Sequence, residues 1–89
     1  MASRRVYIQN RLGLHARASA RLVSAASRYS SGITLAKDEI EVNAKSIMGI
    51  MMLAAGKGSA LILGAEGCDA EEALDAIEEL INNRFGEEE

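Results

Sequence analysis

The chain has one histidine, His15, with an arginine two residues on, Arg17, and another, Arg21, one helical turn further. The surrounding run, N-R-L-G-L-H-A-R-A-S-A-R-L over residues 10–22, changes from a turn to a helical spacing at residue 16. That places His15 at the N-cap of a helix. By itself, a histidine after a Gly-Leu turn is a surface or capping residue. A helix start adds backbone N–H groups without intrahelical partners and the positive end of the macrodipole, a combination that attracts anions. Neutral imidazole is a nucleophile near neutral pH. A phosphoryl group on its nitrogen would land on those N–H groups, and Arg17 can grip its oxygens through two parallel hydrogen bonds. Arg21 adds weaker positive potential, although a solvated helix face accounts for it better. No carboxylate neighbours His15 in sequence, no glycine-rich phosphate loop is present, and no ligand cluster has metal spacing. These residues suit accepting a phosphoryl group and handing it on, with no evident means of hydrolysing it.

The elements that must hold them follow from periodicity. In R-V-Y-I-Q, Val6 and Ile8 alternate with Tyr7 and Gln9, a half-buried strand. From Ala16, a polar stripe of Arg17, Arg21, Ser24 and Arg28 opposes an apolar one of Ala18, Leu22, Ala25, Ala26 and Tyr29. Gly32 is the expected stop. Ile33 and Leu35, then Ile40 and Val42, predict a hairpin turning at Lys37-Asp38-Glu39. Ser46 is a suitable N-cap for a short helix ending near Gly56 or Gly58. S-A-L-I-L-G-A-E-G reads as a fourth strand, and Asp69 with Glu72 forms a D-x-x-E helix start. Ala73, Leu74, Ile77, Leu80 and Ile81 then make a stripe up to Phe85, with Gly86 ending it and residues 87–89 forming a solvated acidic tail. The order β-α-β-β-α-β-α predicts an α+β fold, a mainly antiparallel sheet with helices over one face and water on the other.

Composition narrows the alternatives. Eighty-nine residues support one domain. A net charge of −3 and only three aromatic residues argue against a nucleic-acid binder. No apolar run approaches the ~18 residues of a membrane span. The N-terminus lacks the apolar stretch of a signal peptide. The lone Cys68 can form neither an internal disulfide nor a C-x-x-C site. A cytoplasmic location is the expectation.

G-L-H-A-R-A-S-A-R-L, followed about thirty residues later by N-A-K-S-I-M-G-I-M-M-L and then A-E-G-C-D-A-E-E-A-L-D-A-I, closely resembles the HPr family of histidine-containing phosphocarriers of the bacterial phosphotransferase system. The resemblance runs from Val6 to about Phe85. It implies a single HPr-like domain over residues 1–89, an open-faced β-sandwich with strand order 1-4-2-3 and three helices on one face. It implies phosphorylation of His15 on Nδ1 by phospho-enzyme I, with phosphoenolpyruvate as ultimate donor, and onward transfer to a histidine of an enzyme IIA domain. Arg17 matches the family's phosphoryl-gripping arginine. Ser46 matches the target of an ATP-dependent HPr kinase, a regulatory site that a plain N-cap role does not contradict. The resemblance implies no cofactor or metal in this chain, the Mg²⁺ belonging to enzyme I, and a carrier instead of a self-sufficient catalyst.

One position departs from the family pattern. Ala18 stands where the family commonly has proline. Alanine retains an N–H in the first helical turn, which is expected to add a hydrogen bond to the phosphoryl group. Alanine there, with M-M-L-A-A, is also similar to the family's nitrogen-related branch, which regulates more than it imports sugar. The short helix carries Ile47, Met48, Ile50, Met51, Met52 and Leu53, too many apolar residues for one buried stripe. Ile50 and Leu53, with Ala54, are expected to face the sheet. Ile47, Met48 and Met51 are expected near the surface, forming with Leu14 and Ala20 a docking ring around His15. Arg21, Lys45 and Lys57 would guide acidic partners. A monomer is expected, since a carrier docks alternately. The competing classes are a small acyl-phosphate hydrolase, with Asn10 or Ser19 orienting water, an RNA-binding βαββαβ module, and a carrier loading a prosthetic arm on Ser46.

Overall fold

Alternation along the chain becomes a four-stranded sheet in the computed structural model, which describes residues 1–89. The strands are β1 (Ala2–Tyr7), β2 (Gly32–Lys37), β3 (Ile40–Asn43) and β4 (Ala60–Glu66), and the helices α1 (Ala16–Ala26), α2 (Ile47–Met52) and α3 (Ala70–Asn82). The spatial order is β1-β4-β2-β3, with every neighbouring pair antiparallel. Register aligns apolar side chains across one face. Leu61 lies opposite Val6, and Leu63 and Ala65 lie opposite Leu35 and Ile33. All six are buried. The other face carries Arg5, Tyr7, Ile62 and Glu41, all exposed. α3 lies across β1, β4 and β2, while α1 packs between α2 and α3. Leu22 from α1, Ile50 from α2 and Leu74, Ile77 and Ile81 from α3 are fully buried in one core. Each such side chain contributes about 1.5–3 kcal/mol. The expected α+β sandwich, with its strand order and its helices on one face, is the fold observed.

Several local details differ from expectation. Lys37 pairs with Ile40, so the hairpin turn is only Asp38-Glu39, with Asp38 at φ 55°. The Lys37 ammonium instead caps α2, donating to the carbonyls of Leu53 and Ala54 at 3.3 and 3.5 Å. α2 therefore stops well before Gly56, with Ala54 in the left-handed region at φ 49°. That turn exposes Ala54 and buries Ala55 in its place.

Asp69 occupies the N-cap of α3 but makes no capping bond there. Its carboxylate turns to the loop after α1, accepting the amides of Ser30 and Ser31 at 2.9 Å each and both hydroxyls. Four donors on a different segment outcompete the helix's own amides, so the expected capping box with Glu72 does not form. The Ser31 hydroxyl first, then the Ser30 amide, hold the Asp69 carboxyl down at about 2.

α3 ends at Asn82, and Phe85 is not part of it. Arg84 and Phe85 both adopt left-handed backbone, φ 55° and 54°, in a short 3₁₀ turn, Arg84–Gly86. Such conformations are strained for non-glycine residues. Burial of the Phe85 ring, 1% exposed, holds the turn in place. This turn redirects residues 87–89 back across the start of α1.

Candidate functional site

The loop before His15 is tightly determined. Gly13 adopts φ 65°, and a Cβ there would stand 2.4 Å from the carbonyl oxygen of Ala55, so only glycine fits. The Leu14 amide donates to that same carbonyl at 2.9 Å. Buried Asn10 donates through Nδ2 to the Gly13 carbonyl at 2.8 Å, closing the loop on itself.

His15 then takes the N-cap of α1 in extended backbone, φ −72° and ψ 177°. Its carbonyl accepts the first helical bond, from the Ser19 amide at 2.9 Å. The amides of Ala16, Arg17 and Ala18 precede that bond and lack an intrahelical acceptor. The His15 side chain makes no capping bond to them. Its Nε2 lies 2.5 Å from Oε2 of Glu87 instead. The ring nitrogen left free is Nδ1. Glu87 is fixed in turn, its Oε1 accepting from Asn10 Nδ2 at 3.0 Å. Burial pushes the Glu87 carboxyl up, but the hydrogen bonds from His15 and Asn10 and the nearby Arg21 guanidinium outweigh this. The net effect is a carboxyl below its usual range.

The groove around the ring is lined by Arg11, Arg17, Arg21 and residues 86–89. Arg17 is exposed and makes no ion pair or hydrogen bond, so its guanidinium is available to an incoming anion. Arg21 is not available in the same way, because it donates to the carbonyl of Phe85. Ala18 is buried as a whole residue, methyl and amide together, so an anion reaches its amide only by displacing what covers it.

Residues 87–89 are thus not a freely solvated acidic tail. Glu87 is held by His15 and Asn10, and Glu89 pairs with the Arg11 guanidinium at 3.1 Å and accepts the Arg11 amide at 2.9 Å. A carboxylate does stand beside His15, although it is distant in sequence. E-E-E carries no signal for this. Its only cue is the aromatic Phe85 just before it, which has to be buried somewhere.

The expected docking ring is placed only in part. Leu14 is 5% exposed and belongs to the core, supporting His15 from beneath instead of facing outward. Ala20 is exposed, as are Ile47, Met48 and Met51 on α2, together with Met52 and Leu12, which the expected ring does not include. Lys45 is committed to the Tyr29 carbonyl at 2.8 Å, so its ammonium is not a free steering charge. Lys57 is exposed. Ser46 caps α2, its Oγ accepting the Gly49 amide at 3.1 Å. Asn10 and the buried Ser19, whose hydroxyl donates to the Leu14 carbonyl at 3.1 Å, are both spent on holding the loop. Asn10 Oδ1 has no partner, but both residues are fully buried, so neither reaches a hydrolytic water.

Comparison with known proteins decides the family. A family model described as "PTS HPr component phosphorylation site" matches residues 2–83. The chain belongs to the HPr family. It is 54% identical to the phosphocarrier protein HPr of Treponema pallidum, the match covering 99% of this chain and all of the relative. It is 52% identical to that of Cupriavidus necator, with 98% of each chain covered. A crystal structure of HPr from Thermoanaerobacter tengcongensis superposes with a TM-score of 0.96 at 49% identity, over the whole of both chains. A second structure from that organism, described as an HPr dimer, gives a TM-score of 0.79 at 51% identity and covers 92% of this chain and 94% of that one. As an HPr chain, the protein is a phosphocarrier of the phosphotransferase system. The hydrolase reading has no counterpart among these relatives. No helix of the chain is long and apolar enough to cross a membrane.

Proposed function

We propose that His15 accepts the phosphoryl group on Nδ1, from phospho-enzyme I, and passes it to a histidine of an enzyme IIA domain. The observation that carries this reading is the engagement of Nε2 by Glu87, which leaves Nδ1 as the nucleophilic nitrogen at a helix start. Arg17 grips the phosphoryl oxygens, and the Ala18 amide, still present where the family commonly has proline, donates to one of them. Arg21 acts indirectly by holding the turn that carries Glu87. The exposed apolar residues of α2, Ile47, Met48 and Met51, with Ala20, form the surface on which donor and acceptor dock in turn. Lys45 flanks it.

Ser46 is a regulatory site in this reading. A phosphate there would replace the hydroxyl that accepts from Gly49, at a position where a negative charge suits the helix, and its effect would fall on docking. The protein acts as a cytoplasmic monomer. A sedimentation measurement giving a dimer at working concentration would overturn the monomer.

The test is incubation with phosphoenolpyruvate and enzyme I, followed by intact mass. One phosphate should be gained, acid-labile and stoichiometric, and His15→Ala should gain none. Retention of the phosphate by His15→Ala would sink the assignment. Running the sugar-related and nitrogen-related enzymes I side by side assigns the branch.

A further inference from the structure

Glu87 is held far more firmly than a solvated glutamate would be. Its side chain is 16% exposed, against 70% for Glu89. On one side Phe85 is buried and its carbonyl accepts from Arg21. On the other, Arg11 pairs with Glu89 through backbone and side chain. Two consecutive left-handed residues are strained to bring the segment there. Both carboxylate oxygens are used, one on His15 Nε2 at 2.5 Å and one on Asn10 Nδ2 at 3.0 Å. Asn10 has no freedom to leave, since the same amide nitrogen also holds the Gly13 carbonyl.

We propose that Glu87 is a positioning residue for phosphoryl transfer, selecting Nδ1 over Nε2 as the atom phosphorylated and keeping the proton on Nε2 throughout. This rests on the reading of His15 as the acceptor. An ionised carboxylate can only accept hydrogen bonds, so Nε2 must carry the hydrogen and the neutral ring's lone pair is on Nδ1. In the first step that lone pair forms the N–P bond while the donor's bond to phosphorus breaks, its electron pair staying with the donor. The Nε2 proton does not move, and the cationic phospho-ring is paired with Glu87. In the onward step the N–P bond breaks and its pair returns to Nδ1, leaving a neutral ring in its original tautomer. Neither step has to find or lose a proton. Glu87 also occludes Nε2, so a donor cannot reach the wrong nitrogen.

The experiment compares the wild-type chain with Glu87→Ala and with Glu39→Ala, which removes the same charge from an exposed turn outside the groove. Nitrogen NMR of the His15 ring in mildly alkaline buffer reads the tautomer. Phosphoramidate, a small donor that needs no docking, then reads the intrinsic reactivity, and phosphorus–nitrogen couplings identify the phosphorylated atom. Wild type and Glu39→Ala should show the Nε2–H tautomer and product on Nδ1 alone. Glu87→Ala should show mixed tautomers, a share of product on Nε2, and Nδ1 phosphorylation slowed on the order of tenfold. Thermal melts identify a variant that merely loses stability, which would change neither tautomer nor the atom phosphorylated. An Nδ1–H tautomer in the wild type, or unchanged tautomer, product and rate in Glu87→Ala, overturns this inference and leaves the carrier intact. Failure of the wild type to take phosphate either from phosphoramidate or from phosphoenolpyruvate with enzyme I would overturn the acceptor reading itself.

Discussion

α1 and α2 begin with the same extended backbone and opposite uses of the capping side chain. Ser46 turns its hydroxyl inward to the Gly49 amide, whereas His15 turns its ring away from its helix to Glu87. A side-chain cap contributes about 1 kcal/mol, and α1 forgoes it. The lengths explain which helix can do so. α1 has eleven residues and buries Ala18, Leu22 and Ala26. α2 has six residues and only Ile50 fully buried within it. A helix that short is marginal without its cap. The longer helix, secured by packing, can leave its first amides to a ligand.

The largest expected effect falls on the free cap. His15→Ala should abolish phosphate uptake in the enzyme I assay while costing no more stability than the loss of its bond to Glu87, since no intrahelical bond is lost. A large loss of stability would show that the ring is structural and break the contrast. Arg17→Ala should keep the fold and slow transfer by about 10–100-fold, the value of a hydrogen bond to a charged group. An unchanged rate would remove Arg17 from the site.

Next comes the loop that aims the cap. Gly13→Ala would place a methyl against the Ala55 carbonyl in a left-handed conformation. It should cost about 2 kcal/mol or more, read by denaturant unfolding. A neutral result would mean that the loop before His15 can move, and that the cap is not held by its surroundings. Ser46→Ala should cost about 1 kcal/mol and still leave His15 able to gain its phosphate. Equal stability would make the two helix starts alike.

The sheet and the apolar stripes of α1 and α3 are legible in sequence because period decides burial there. So is His15 at a helix start. What sequence hides is long-range and polar. Glu87 reaches His15 only because Phe85 buries in a left-handed turn, and a run of three glutamates contains no trace of that. Leu14 reads as a neighbour of the nucleophile, but the strain-permitting Gly13 points it into the core. Lys45 reads as a free charge and Lys37 as a turn residue, yet each finds a backbone carbonyl in another segment.

The third helix start supplies the smallest effect and sharpens the contrast. Asp69 stands at the N-cap of α3, but its carboxylate serves Ser30 and Ser31 across the molecule. The carboxyl is held at about 2, below the 3.8 of an unperturbed aspartate. A depressed acid favours the folded state above its ordinary value, and that contribution disappears as pH falls through the depressed one. Wild type should therefore melt slightly above Asp69→Asn at neutral pH, and the difference should close as pH falls from about 4 to about 2. A gap that persists in acid would mean that geometry, not charge, ties α3 to the end of α1. A gap absent at every pH would mean that α3 stands on its buried stripe alone, as α1 does, and that of the three caps only that of Ser46 is structural.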